Sequence, residues 1–226
     1  MSGNFLVYID QFKGQALPTS WEVLSAAHYL AEKLGGSIYA LALGEASQAV
    51  AEMAYQYGVE QALYCDDPSL ADYRPEPYTA LVSKIAQEKG VGVLLFPTTS
   101  RGREVAAMCA VDLQGGVMPD VTELEVVDGK IIATRPVYAG KLLAKAVCDV
   151  EPAIITTRVR AFKKPQGDAS RAGVAQRVDA VMAEGDIRTK VTGYAQAGGG
   201  VSLTDANVIV SGGRGVANNP NLTPPA

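Results

Sequence analysis

The sequence is poor in the residues from which most catalytic and metal centres are assembled. It has one histidine, His28, with no second histidine to form a metal set and no serine or cysteine linked to it in sequence. That residue is expected to be a half-buried packing group in a helix. Its three cysteines, Cys65, Cys109 and Cys148, stand far apart without a C-x-x-C pair, which argues against a disulfide framework and against zinc or iron–sulfur ligation. They are expected to be reduced core thiols. No apolar run approaches the roughly 20 residues needed to cross a bilayer. The N-terminus, MSGNFLVYID, has neither a basic n-region nor an Arg-rich transit pattern. A cytoplasmic protein without membrane insertion is expected. Positive charge is scarce too: the formal net charge is -4 and the isoelectric point is near 5.1. Such a balance leaves no electrostatic footprint for nucleic acid or an anionic membrane. Small molecules and proteins remain as partners.

What the chain has is apolar material in a regular order. Over 226 residues, 48% are hydrophobic and 19% charged, enough for a large core in an ordinary globular protein. Short apolar runs at 5–9, 37–43, 61–65 and 91–97 each precede a segment of helical periodicity, at 20–35, 45–58, 75–90 and 100–115. Ser20 stands where it would cap the first of these helices. Repeated strand–helix units imply parallel strands with helices on both faces. The expected fold class is therefore α/β, a Rossmann-like three-layer, doubly wound parallel sheet. After Gly116 the pattern changes to strand-period alternation around Asp128-Gly129, a hairpin signal, with further strands expected at 141–150, 153–162, 176–183 and 188–194. The second half thus reads as an antiparallel β extension. Ala197 to Gly200, AGGG, is a linker, which sets expected domains at 1–196 and 197–226.

The motifs that carry charge are few. PTTSRGREVAA (97–107) places Ser100, Arg101 and Arg103 beyond the carboxyl end of a strand, where open α/β sheets bind ligands. The same residues also fit a plain helix start, with Ser100 as N-cap and Glu104 in the first turn, and that reading is preferred. Asp66, Asp67 and Asp72 lack calcium-loop spacing and read as a polar loop, with no metal site expected. Arg158 and Arg160 alternate on an expected strand and, with Lys163 and Lys164, read as a solvated strand end or as a basic surface for an acidic partner. Near the end of the chain an apolar strand at Asn207 to Val210 enters a glycine-rich turn, Ser211, Gly212, Gly213, Arg214 and Gly215. Its spacing matches neither common phosphate-loop pattern. A guanidinium amid exposed backbone N–H groups nonetheless suits a pyrophosphate. No hydrolase triad, zinc-protease or kinase signature is present, so catalytic residues are not expected.

Taken in order, LLFPTTSRGREVAAMCAVDLQGGVMPDVTELEV, RPVYAGKLLAKA, AIITTRVRAF and LTDANVIVSGGRGV resemble the α subunit of electron-transfer flavoproteins, including its FixB type. The resemblance spans roughly residues 90 to 215, and the preceding strand–helix units agree in number and order. It implies an electron carrier that shuttles electrons between flavin dehydrogenases and a downstream acceptor of quinone-reductase type, in an αβ heterodimer that holds FAD. By the same resemblance, SGGRG closes the first strand of the FAD-binding domain and its arginine lies against the flavin. That implicates Ser211, Gly212, Gly213, Arg214 and Gly215. The rest of that domain, which the family carries over roughly a hundred further residues, has no counterpart in this sequence. A truncated α subunit, binding FAD weakly or not at all by itself, is the expectation. The alternative is a self-contained adenine-nucleotide-binding domain of universal-stress type, which shares the doubly wound fold.

Overall fold

The structure, a computed structural model, describes residues 3–195, 206, 208–213 and 215. It divides into two compact units, Met1–Val191 and Thr192–Ala226. In the first unit, strand β1 (Asn4–Ile9) leads through a small hairpin, β2 (Gln11–Phe12) and β3 (Gln15–Ala16), into helix α1 (Pro18–Leu34). Proline at the first helical position suits that start, since its missing N–H would have no partner there. Ser20 is not the cap: its hydroxyl, buried, donates instead to the Asp10 carbonyl at 2.9 Å and ties the helix to the end of β1. Then follow β4 (Ile38–Leu43), α2 (Ser47–Met53), β5 (Gln61–Cys65), α3 (Pro75–Glu88), β6 (Val91–Pro97) and α4 (Ser100–Leu113). The second expected helix, 45–58, is shorter than its periodicity suggests, and tightens after Met53 into a 3-10 turn, Ala54–Tyr57.

The chain continues as β7 (Gly116–Val121), β8 (Glu123–Val127), β9 (Lys130–Val137), β10 (Leu142–Val147), β11 (Ala153–Thr157) and β12 (Gln176–Arg177). Seven strands form one sheet in the order β12-β5-β4-β1-β6-β11-β7, every pairing parallel. β8, β9 and β10 form a separate antiparallel sheet through the expected Asp128-Gly129 turn. β11 belongs to the parallel sheet, not to the antiparallel extension. Its five residues are all buried, as an interior parallel strand requires. The expected strand at 176–183 pairs for only two residues against β5, and no strand forms over 188–194.

Two apolar layers hold the large sheet. On one side Phe5, Val7 and Ile9 meet α1 through Trp21, Leu24 and Leu30, and the core continues under Leu124, Ile131 and Ala133 of the small sheet. On the other, Leu6, Tyr8, Leu41 and Leu94 meet α3 and α4 through Leu81, Val82, Ile85 and Val105. This alternation along β1 is the period of two that puts successive side chains on opposite faces. All three cysteines are buried thiols without disulfide partners, and burial pushes the Cys109 thiol up to about 12. His28 is half-buried and its Nε2 lies 2.6 Å from the Tyr57 carbonyl, so it packs as expected.

Candidate functional site

The sheet order fixes where a ligand crevice should open. From β1 the chain builds outward through β4 and β5, then returns with β6 to the opposite side of β1. The loops leaving β1 and β6 therefore diverge, and in this topology ligands gather at the carboxyl end of that split. Here the split is occupied by the protein itself. Asp10, the residue after β1, has 0% exposure, and its Oδ1 lies 3.0 Å from Nη2 of Arg101. Its Oδ2 accepts from the Thr99 hydroxyl at 2.7 Å. Arg101 Nη1 donates to the Gln11 carbonyl at 3.2 Å. The guanidinium carbon stands 6.0 Å from the Phe12 ring centre and 5.8 Å from that of Tyr73, within cation–π range of both. Tyr73 is itself held by a 2.8 Å bond from its hydroxyl to Glu104.

Local sequence explains the arrangement. Thr99, not Ser100, caps α4: its Oγ1 accepts from the Gly102 N–H at 2.9 Å while its own hydroxyl proton goes to Asp10. A cap two bonds deep sets Ser100 as the first helical residue, exposed, and leaves Arg101 turned toward β1. Gly102 is required because a Cβ there would stand 2.2 Å from the Pro97 carbonyl oxygen. Burial pushes the Asp10 carboxyl above the ordinary range, against the lowering by Arg101 and the Thr99 bond. Arg103 is exposed on the helix surface. The sequence placed Ser100, Arg101 and Arg103 at this edge; the structure brings in Arg101 alone and adds Asp10, Gln11, Phe12, Thr99 and Tyr73. Asp10 sits at the end of FLVYID, and an acid directly after an apolar strand was the one signal that could have found it.

The other charged motifs resolve into local pairs. β11 ends at Thr157, so Arg158 and Arg160 are not strand residues, and Arg158 makes two bonds to Asp120 of the chain itself, 3.0 and 2.5 Å. Asp66 pairs with Arg177, and Asp67 accepts from the Ser69 N–H. Among the described residues no acid, histidine or cysteine group could hold a metal ion. A groove of the first unit, about 460 Å³, is lined by Asp67, Ser69, Asp72, Arg74, Glu184 and Lys190. Arg74 fills its floor: the guanidinium bonds Glu184 at 2.9 and 2.7 Å, the Ser69 carbonyl at 2.5 Å and the Thr189 carbonyl at 3.3 Å.

In the second unit, the described residues 208–213 are exposed and no strand forms over 208–210. The strand expected there has no partner among the described residues. Ser211, Gly212 and Gly213 are exposed, and a Cβ at Gly213 or Gly215 would meet nothing within 4 Å. Arg214 and the linker at 197–200 lie outside the described residues. Among the described residues no helix is long and apolar enough to cross a membrane.

Fold and site together define a class: a doubly wound α/β domain of nucleotide-binding topology whose switch-point crevice is closed by its own side chains, with a small antiparallel sheet attached. The electron transfer flavoprotein domain matches residues 5–183, and the chain belongs to that family. It is 33% identical over 214 residues to electron transfer flavoprotein subunit alpha of Megasphaera elsdenii, covering 93% of this chain and 63% of the relative. It is 34% identical over 223 residues to protein FixB of Azorhizobium caulinodans, covering 96% and 60%. With subunit alpha of Bacillus subtilis it shares 26% over 224 residues, covering 98% and 68%. The chain thus spans about 60% of the length of the first two of these relatives.

Proposed function

We propose that this chain is the α-subunit part of an electron-transfer flavoprotein, the scaffold side of an αβ heterodimer in which FAD carries electrons from flavin dehydrogenases to an acceptor of quinone-reductase type. The family match across residues 5–183 carries this reading, with relatives named as the α subunit or FixB. A subunit named alpha implies a second subunit, and the small sheet offers a face for it. β8 to β10 turn Leu124, Ile131 and Ala133 to the core. The opposite face presents Leu143, 67% exposed, with Val127 and Val147 beside the Glu125–Lys145 ion pair. Exposed aliphatic residues rimmed by charges are what a protein interface needs. We assign that face to the β subunit.

The first unit does not suit the cofactor. The groove lined by Asp67, Asp72 and Glu184 has Arg74 already committed to Glu184, which leaves its acids in excess over Lys190 and ill suited to a diphosphate, and the switch-point carboxylate is already paired with Arg101. The glycine turn is the better fit, since exposed backbone with no Cβ in the way allows close approach to a pyrophosphate. Ser211, Gly212, Gly213 and Gly215 would supply that backbone and Arg214 a matching positive charge. The flavin supplies the redox chemistry when bound. This chain's residues only bind and orient it, so the chain is a carrier component and not a catalyst.

Mixing the 226-residue chain with an electron transfer flavoprotein β subunit should give a 1:1 heterodimer by sedimentation. The chain alone should not bind FAD at micromolar concentration in a fluorescence titration. Leu143→Asp should abolish the heterodimer and leave the melting temperature of the chain unchanged. Micromolar AMP or ATP binding without any affinity for the β subunit would instead support a self-contained nucleotide-binding domain.

A further inference from the structure

We infer that the switch-point crevice is a seat for a planar cation, filled in cis by the guanidinium of Arg101. The seat has the parts such a ligand requires. A carboxylate with 0% exposure, Asp10, forms one end, at 3.0 Å from Nη2. A backbone carbonyl, Gln11, accepts from Nη1 at 3.2 Å. Two aromatic rings, Phe12 and Tyr73, stand within 6.0 Å of the guanidinium carbon, and an electron-rich ring face attracts a flat, weakly hydrated cation. The charge is shielded but not enclosed, since Arg101 keeps 24% exposure. A free cation of the same shape can therefore reach the position once the side chain is removed.

The acid is the part that cannot stand alone. Asp10 Oδ2 is satisfied by Thr99, whereas Oδ1 has the short ion pair to Arg101 but no contact of hydrogen-bond geometry. The tether to α4 brings charge to Oδ1 without aligning an N–H on it. An untethered guanidinium is free to align. A buried carboxylate stripped of its counter-charge destabilises a fold far more than an exposed one. The seat also gives the split a cross-link of its own: Arg101 and Thr99, after β6, hold Asp10 and Gln11, after β1, where another protein of this topology would use a ligand.

Chemical rescue tests the seat. Arg101→Ala in the full chain should lower the melting temperature by about 6 °C or more at pH 7. Millimolar methylguanidinium should then recover at least half of that loss along a saturable curve. Equal concentrations of methylammonium or sodium chloride should not, and the parent chain should not respond. Adding Asp10→Asn to Arg101→Ala should remove the rescue. An Arg101→Ala variant as stable as the parent, or a rescue that persists without the carboxylate, overturns the inference. If Arg101→Ala does not fold, Arg101→Lys carries the test. It keeps the charge and loses the planar fork, so a lysine variant as stable as the parent would overturn the seat equally.

Discussion

Two arginine–carboxylate pairs stand among the loops at the carboxyl end of the parallel sheet, and they are built in opposite senses. At the switch point the acid is inside: Asp10 has 0% exposure and Arg101 24%. At the strap that leads out of the unit the base is inside: Arg74 has 6% exposure and Glu184 58%. The inner member decides what each pair is worth. A buried carboxylate has few ways to be satisfied without a cation, whereas buried Arg74 also bonds two backbone carbonyls, Ser69 and Thr189. Loss of the outer partner should therefore be severe at the switch point and mild at the strap.

The largest effect expected is that of Arg101→Ala, about 3 kcal/mol or more in urea unfolding at pH 7, because it leaves Asp10 buried and unpaired. Arg74→Ala should cost less, about 2 kcal/mol, through lost hydrogen bonds and packing, since it strands carbonyls and leaves Glu184 free in water. If Arg101→Ala costs no more than Glu184→Gln, which removes the outer partner at the strap, the inner-member rule fails.

Acid sharpens the comparison. Asp10 faces Arg101, Tyr8 and Tyr73, and burial outweighs the arginine, so its carboxyl titrates above the unfolded value. A raised folded value contributes stability that is complete below the unfolded carboxylate range, near 3.9, and is lost as pH rises through the folded value. The penalty of Arg101→Ala should accordingly shrink between pH 7 and pH 4, as Asp10 takes a proton and no longer needs a cation. Glu184 behaves in the opposite way. Its bonds to Arg74 hold it below the ordinary range, so its contribution is present at neutral pH and lost as pH falls through that lowered value. Melting curves of parent, Arg101→Ala and Glu184→Gln from about pH 2 to pH 7 would show whether the two slopes differ in sign, the Glu184 change falling below about pH 4.3.

Sequence alone reveals the frame well and the pairs poorly, for a physical reason. β1, β4, β5 and β6 are apolar runs whose period is local, so each is visible without its neighbours. β7 is not: GVMPDV contains Pro119 and Asp120, which read as turn residues, and only its place at the sheet edge makes a proline tolerable. The alternation at 188–194 looks like a strand, yet no strand forms there, since alternation alone supplies no backbone partner. Arg101 is visible as a charged residue after a strand, but its value depends on Asp10, which no spacing rule links to it. Family resemblance reaches further than pattern here, since the motifs through AIITTRVRAF fall within the matched 5–183. The glycine turn at 211–215 lies beyond that match, and its assignment to flavin remains a proposal tested by binding.

The smallest effect tests the rule most cleanly. Glu184→Gln removes one charge from the strap and keeps an acceptor for Arg74, whose bonds to Ser69 and Thr189 stay in place. Because Glu184 is largely in water, screening makes the lost ion pair a minor matter, and the melting temperature should move by no more than about 2 °C. The contact should show itself locally instead. Thr189 also bonds Glu76 at 2.8 Å, so the strap has a second anchor, and limited proteolysis near 184–190 should quicken only slightly in Glu184→Gln. It should quicken strongly in Arg74→Ala, where one substitution removes the bonds to Glu184 and to the Thr189 carbonyl together. Equal cleavage rates in the two variants would mean that the ion pair, and not the buried guanidinium, holds the strap.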